Sequence, residues 1–312
     1  MAEPLYVQVL SKHRRTLDRL IERGAVDRLK STYDRAIADV LAKLNRLGRG
    51  SAPFTEHHLR MILAQLKAGQ IHINDQMVST LNTASREAQV ESLNSLVRGY
   101  KTLEKHYLGH EPVLPIEEAA RFAGVIDEHR GSLLKQHKTS IARYGHEVIG
   151  SVQEDLAVSV ASGETLDDAI TRVHKTVGGE FWQAERIART ECAYAANVAH
   201  SDGIKQIAEA NPELKQQWVE FCGPDGQPLD DRVAVDSIAM HGQVVEPGGL
   251  FVMPAESLIP DAKGETRVPK SLVGQSWSVP PCRPNGREML QPWRKAWGTP
   301  GWYYRNGRRI PA

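Results

Sequence analysis

Apolar side chains return every three or four residues along the first hundred or so positions of the chain. Between residues 5 and 110 they mark one helix face at Leu17, Leu20, Ile21, Leu29, Tyr33, Ile37, Val40, Leu41 and Leu44, among others. Polar and charged residues fill most of the positions between them. Since this period matches the turn of an α-helix, the pattern predicts amphipathic helices that bury one side.

Glycines and prolines predict where these helices stop. The segment 48–53 interrupts the first helical run with two glycines and a proline, and Thr55 is suited to cap the helix that follows. That helix is expected to run to Leu108. The segment 109–115 contains two prolines and predicts a linker before another helical stretch over residues 116–160.

Residues 162–215 predict a short helix, a turn and a long helix. Thr165 and Asp168 match a capping box at the start of the short helix. The glycine pair at 178–179 is expected to end it, and Gly203 is expected to interrupt the long helix. A line of small side chains and one carboxylate follows the long helix, at Ala184, Ala188, Glu191, Ala195 and Ala199. Small side chains in such a line let a neighbouring backbone come close.

The triplet Arg189, Thr190 and Glu191 in this helix has two interpretations. A catalytic cluster would need the three side chains to meet at one substrate, but consecutive residues of a helix point in different directions. Glu185 and Arg189 stand four residues apart, in the order that favours an ion pair. Packing is therefore the predicted role of the triplet, and catalysis is the alternative.

After residue 212 the helical period gives way to alternation. Residues 216–221 predict a strand with Trp218 and Val219 on opposite faces. Shorter strand candidates lie at 242–245, 250–254 and 275–281. The long polar segment 254–276 predicts a surface loop. Together these features predict an α+β protein, mostly helical in its N-terminal part, with a C-terminal module of helices and a small β-sheet.

These changes in pattern divide the 312-residue chain into four predicted segments. They are a helical N-terminal arm or domain at 1–110, linking helices at 111–160, an α+β module at 161–290 and a basic aromatic tail at 291–312. The length suffices for about two domains with a sizeable core.

Composition and charge add few constraints. With 39 Lys and Arg against 38 Asp and Glu, the formal net charge is +1, so bulk charge does not indicate a nucleic-acid or membrane partner. Residues 1–60 hold twelve basic against seven acidic residues, which indicates either a solvated helix face or a local contact with nucleic acid or an acidic protein. Three widely spaced cysteines (Cys192, Cys222 and Cys282) and the lack of a long apolar run predict a cytosolic origin without a disulfide framework.

Residues 155–290 contain phrases that match a known family in order and spacing. They are GETLDDAITRV at 163–173, AERIARTECAYAANVAHSDG at 184–203, DDRVAVDSIAMHGQVVEPGGLF at 230–251 and PPCRPNGRE at 280–288, with the strand residue Trp218 between the second and the third. In these phrases the chain resembles the Mu F-like minor head proteins of tailed bacteriophages, also called phage head morphogenesis proteins. The structural motif that the resemblance marks comprises Arg189, Thr190, Glu191, Asn197 and Trp218.

The chain departs from the family pattern at positions that could bind a metal. Ala234 and Ser237 stand where family members often carry an Arg and a His. Family members often close with Asn-Cys-Arg-Cys after a His, and this chain has Arg283, Asn285, Gly286, Arg287 and Glu288 in that place. No metal site, cofactor or catalytic residue is therefore predicted.

The resemblance implies a structural and delivery role. Such proteins are capsid-internal or portal-associated head components that bind the portal and influence DNA packaging or ejection. The expected partners are the phage portal protein, with the major capsid or scaffold protein and packaged double-stranded DNA as further candidates, and no membrane. The expected location is the virion, in the capsid interior or at the portal vertex, and the host cytoplasm during assembly.

The family is also distantly similar to ADP-ribosyltransferase folds, which gives an enzymatic alternative, an effector delivered with the DNA. Such a transferase needs a carboxylate on a strand, with Gln or Glu two residues earlier. The Gln-x-Glu triplets at 89–91 and 183–185 fall in helical pattern, and Glu220 has Trp218 at the partner position. The chain also lacks a phosphate-binding loop and the CxxC and HExxH motifs. The predicted role is therefore non-enzymatic.

The last 22 residues combine five aromatic and five basic side chains with no acid. Three interpretations remain open. The aromatics fold back on the module, they anchor the protein in an acidic groove of the portal, or they stack on packaged DNA while the cations contact phosphate. The candidate residues for binding the portal or DNA are Trp293, Arg294, Trp297, Trp302, Tyr303, Arg305, Arg308 and Arg309.

Overall fold

The computed structural model is mostly helical, with short antiparallel strands towards its C-terminus. The α+β class predicted from the sequence is therefore confirmed. The described residues are 5–45, 54–112, 114, 119–179, 181–220, 233–257, 260–261, 263–284, 286–297, 303–305 and 308–310. None of the helices within them has the length and apolar character that a bilayer crossing requires.

The helices begin and end close to the positions that the sequence predicts. They are α1 (Leu5–Arg19), a π-helical segment (Leu20–Val26), α2 (Asp27–Asn45), α3 (Glu56–Leu108), α4 (Ala119–Glu128), α5 (Arg130–Ser162), α6 (Leu166–Gly179), α7 (Phe181–Ala210) and α8 (Val235–Met240). The predicted capping box starts α6, since the backbone N–H of Asp168 donates to Oγ1 of Thr165 at 3.2 Å. The backbone N–H of Thr165 in turn donates to Oδ2 of Asp168 at 3.3 Å.

The predicted interruption of the long helix at Gly203 is wrong. Helix α7 passes through this position without a break. A Cβ atom on Gly203 would lie 2.6 Å from Cδ2 of Leu96 and 2.9 Å from Cδ2 of Leu93, both on α3. The glycine therefore allows the close approach of two helices instead of a turn.

The described strands form one three-stranded sheet and two two-stranded pairs. They are β1 (Lys215–Val219), β2 (Val244–Val245), β3 (Phe251–Val252), β4 (Ser276–Trp277), β5 (Met289–Trp293), β6 (Tyr303–Arg305) and β7 (Arg308–Ile310). The sheet has the antiparallel order β2-β1-β5, and β3 pairs with β4 and β6 with β7. Strands β1 to β4 lie within the predicted candidates, apart from one residue at the start of β1. Strand β5 was not predicted, and its Pro292 is tolerated because β5 is an edge strand.

The chain forms two compact units that do not follow the four predicted segments. Unit 1 comprises Met1–Ile21, Ser85–Arg130 and Thr190–Ala312, and unit 2 comprises Glu22–Ala84 and Gly131–Arg189. The grouping differs from the prediction because α3 and α7 are long enough to contribute residues to both units. Unit 1 contains the described strands, and its core includes the fully buried Trp218 and Tyr100. Unit 2 is helical, and in it Tyr33 packs against Tyr144 and Phe181.

Candidate functional site

The triplet predicted to pack has a different surrounding at each residue. In unit 2, Nε and Nη2 of Arg189 donate to the two carboxylate oxygens of Glu22 at 2.8 and 3.0 Å, and Nη1 lies 3.5 Å from Glu185. The hydrogen bond with Glu22 is the main cause that raises the pKa of Arg189. Thr190 is half-buried and Glu191 is buried. Arg189 is thus held in ion pairs, including the predicted one with Glu185.

The line of small residues on α7 is buried along its whole length, at Ala184, Ala188, Glu191, Ala195 and Ala199. In unit 1, Sγ of Cys192 lies 3.7 Å from Oγ of Ser85, and Nδ1 of His200 lies 3.1 Å from Oγ of Ser92. Since the contact further along α3 is also the one further along α7, the two helices run parallel here. Ala199 of the line belongs to the same buried cluster as Leu93 of α3, where a small side chain suits a close approach of the two helices.

Asn197 joins α7 to the sheet. Its Nδ2 donates to the backbone oxygens of Ala193 at 3.0 Å and Glu288 at 3.1 Å, and its Oδ1 accepts from the backbone N–H of Leu290 at 2.9 Å. The side chain is buried, so it provides buried hydrogen-bond partners for the backbone oxygen of Glu288 and the backbone N–H of Leu290. Leu290 pairs in register with Trp218, which is fully buried and packs against Phe251 with ring centroids 5.2 Å apart.

A buried polar cluster lies beside the end of β1 and the start of β5. Oγ of Ser237 donates to Oε1 of Glu288 at 2.5 Å, and Sγ of Cys282 donates to the same oxygen at 3.2 Å. Nε of Arg283 donates to Oγ of Ser237 at 3.0 Å and lies 3.7 Å from Oδ1 of Asp236. Two phrases that depart from the family pattern therefore meet at one carboxylate. No local pattern predicts this meeting, because more than 40 residues separate Ser237 from Cys282 and no metal-ligand spacing links them.

The thiol in this cluster is a poor nucleophile. Burial raises the pKa of Cys282, and the neighbouring carboxylates of Glu288, Asp236 and Glu220 raise it further. Since only the thiolate attacks, a thiol that keeps its proton at neutral pH does not support covalent catalysis. The cluster is suited to holding α8 against the sheet.

The first part of the C-terminal tail is built into unit 1. Nη1 of Arg294 donates to both carboxylate oxygens of Glu104, at 3.0 and 2.9 Å, and Nη2 donates to Glu213 at 2.9 Å. The indole N–H of Trp297 donates to Oε1 of Glu104 at 3.2 Å, and Trp297 is buried in the core. Trp293 ends β5. These three predicted partner-binding residues thus fold back on unit 1, which is one of the interpretations left open above.

The remainder of the predicted binding segment is only partly described. Its backbone forms the β6–β7 pair, in which Arg305 stands opposite Arg308 and Tyr304 opposite Arg309. Trp302, Cys222 and Phe221 lie outside the described residues, as do the side chains of both strands. No protein-family model, curated protein or solved structure matches the chain. A functional assignment therefore depends on the geometry above and on the sequence resemblance.

Buried histidines make the stability of the fold sensitive to pH, and His137 is the simplest case. It is buried in unit 2, where its Nδ1 lies 2.6 Å from Oδ1 of Asn82, and burial lowers its pKa to about 4. The unfolded chain takes up the proton below pH 6.5, whereas the folded chain does so only near pH 4. The neutral histidine thus stabilises the fold fully above pH 6.5, and this contribution is lost as the pH falls towards 4.

Replacing His137 by glutamine is expected to weaken this dependence on pH. The difference in unfolding free energy between pH 7.5 and 4.5 should shrink by roughly 2–3 kcal/mol, as a pKa shift of this size implies. Urea unfolding followed by circular dichroism measures it. The exposed His174→Gln serves as the matched control and should leave the difference unchanged. Equal pH dependence in wild type and His137→Gln would contradict the assignment.

Proposed function

We propose that the protein is a minor head component of a tailed bacteriophage, bound to the portal in the capsid interior or at the portal vertex. In this role it acts in head morphogenesis and in DNA packaging or ejection. One observation carries the proposal furthest. The phrases that resemble Mu F-like proteins bond to one another, since Asn197 and Ser237 both reach Glu288. Segments that hold each other in one buried module suit a structural component.

A non-enzymatic role is part of this proposal. The groups that could catalyse are engaged or buried, because Arg189 is ion-paired, the thiol of Cys282 keeps its proton and Glu220 is buried. An ADP-ribosyltransferase would instead need a carboxylate open to the nicotinamide ribose. Transfer of label from NAD to host-lysate proteins by the purified chain would overturn this part of the proposal.

Within the proposal, residues 298–312 are the segment that contacts the portal or DNA. Arg294 and Trp297 serve the core of unit 1, so the partner-binding role falls to the residues beyond them. That segment contains three arginines, three aromatic residues and no acid. A basic aromatic segment fits an acidic protein groove, where Trp, Tyr and Arg supply most of the binding energy, or the phosphates of DNA.

Truncation after Trp297 tests this assignment. The deletion begins at residue 298 because a deletion from 291 would also remove part of β5 and the contacts of Glu104. We expect the truncated chain to fold but to be depleted from purified DNA-filled heads by about tenfold or more, as loss of a cluster of hot-spot residues implies. Quantitative mass spectrometry of heads measures its copy number. Unchanged incorporation would refute the role of the segment, and absence of the full-length chain from heads would refute the minor head assignment.

Salt dependence separates the two partners. A variant with Arg305, Arg308 and Arg309 replaced by glutamine keeps the aromatic residues and serves as the matched comparison. If the three arginines contact phosphates, the logarithm of DNA affinity should fall against the logarithm of salt concentration with an additional slope of about −3, which the variant loses. Portal binding through aromatic anchors should change little with salt.

A further inference from the structure

A group of three potential metal ligands lies in unit 1, where the end of α4 meets α7. Glu128 ends α4, His129 follows it, and Asp202 lies on α7. Each offers one ligand atom, and the three atoms lie within 4.8 Å of one another. Nε2 of His129 lies 2.5 Å from Oδ2 of Asp202. Among the described residues, these are the His, Cys, Asp or Glu side chains that bring three ligand atoms this close together.

The donor set has the composition of a site for a divalent transition metal. One imidazole nitrogen and two carboxylate oxygens are ligands that Zn²⁺ accepts, and three protein ligands leave a fourth position for water. Glu128 is exposed, and the side chains of His129 and Asp202 are 29% and 14% exposed. An ion can therefore enter from solvent, while the carboxylate of Asp202 is mostly shielded from water.

The end of α4 adds negative charge next to the group, and Lys205 on α7 and Arg130 after His129 are the nearby cations in the sequence. The last turn of α4 carries Asp127 and Glu128 and no basic residue. Carboxylates at the C-terminal end of a helix oppose the preference of its dipole, which favours cations there. Nζ of Lys205 already lies 2.7 Å from Oδ1 of Asp202. The ammonium group uses one oxygen of this carboxylate, and the second oxygen is the one that faces His129.

We propose that Glu128, His129 and Asp202 bind one divalent transition-metal ion, with Zn²⁺ as the representative ion. The ion replaces the hydrogen-bonding proton between His129 and Asp202 and links the end of α4 to α7 within unit 1. Glu128 supplies the third bond after a side-chain rotation. The sequence did not predict this site because 73 residues separate His129 from Asp202, so no short ligand motif exists.

Titration calorimetry of the untagged full-length chain with ZnCl₂ tests the proposal. We expect one saturable site, and a rise in the melting temperature that grows with the Zn²⁺ concentration because the ion binds the folded state. His129→Gln and Asp202→Asn should each weaken the affinity by about tenfold or more, as the loss of a ligand implies. Lys205→Met removes a competing cation and should strengthen binding.

A pair of histidines outside the proposed site provides the control. His106 and His110 lie four residues apart at the end of α3 and just beyond it, so His106→Gln with His110→Gln should leave the affinity unchanged. Visible absorption of bound Co²⁺ in the same variants reports the ligand set without depending on stability. Absence of saturable binding in the wild type, equal binding in His129→Gln and Asp202→Asn, or loss of binding only in the His106 and His110 variant would each overturn the proposal.

Discussion

Replacing Arg294 by methionine is expected to lower the free energy of unfolding by about 3–5 kcal/mol, the cost of leaving a buried charge without its partner. The side chain of Glu104 is only 1% exposed, and that of Arg294 is 13% exposed. Both Nη1 hydrogen bonds to Glu104 would be lost, and the indole N–H of Trp297 would remain as one of its donors. Chemical denaturation followed by circular dichroism measures the change.

Two further variants make this prediction specific. Arg189→Met breaks a pair whose side chains are 35% and 51% exposed, so we expect a loss of no more than about 1 kcal/mol. Combining Glu104→Met with Arg294→Met removes both charges and should recover much of the loss, because no uncompensated charge remains. If Arg294→Met and Arg189→Met lower the free energy of unfolding by equally small amounts, the prediction that the buried ion pair stabilises the fold is wrong.

Replacing Trp218 by alanine is expected to cost about 3–5 kcal/mol of unfolding free energy, since it leaves a large cavity in the core of unit 1. Trp218 is fully buried in the central strand, between β2 and β5, and its ring packs edge-on against Phe251. Trp218→Phe fills part of the space and should lose less. Denaturant unfolding at constant pH gives the comparison.

Trp182→Ala is the matched control for this substitution. Trp182 is 53% exposed, and the guanidinium of Arg186 lies 5.0 Å from its ring centroid. Trp182→Ala deletes the same type of side chain with little loss of buried area. We therefore expect the free energy of unfolding to change by no more than about 1 kcal/mol, the size of an exposed cation–π contact. A Trp218→Ala variant as stable as Trp182→Ala would contradict the burial of Trp218 in the core.

Sequence periodicity predicted the helices well because amphipathic spacing and capping depend on residues close in the chain. The end of α3 at Leu108, the capping box of Thr165 and the strand at Trp218 all follow from local patterns. Gly203 was misjudged for a physical reason. A glycine serves both to end a helix and to admit a close neighbour, and only the positions of Leu93 and Leu96 distinguish the two.

For the C-terminal tail, too, local sequence was not enough to predict which residues bind a partner. Its composition allowed three interpretations for all 22 residues, and local sequence could not show which residues belong to the core and which are available to a partner. The partner of Arg294 is Glu104, 190 residues earlier in the chain, and the sequence around this buried glutamate does not distinguish it from an exposed one on the same helix. Burial of that pair separates residues 291–297, which complete the sheet and core, from the basic segment that follows.

The sequence by itself determined the helical periodicity, the α+β class and the order of the phrases that resemble Mu F-like proteins. These features depend on the intrinsic preferences of neighbouring residues and on their spacing. Only the tertiary structure decided which distant side chains meet, as Asn197 does with β5 and His129 with Asp202. Such meetings depend on how helices and strands pack, because burial and charge pairing act between residues that the chain order keeps apart.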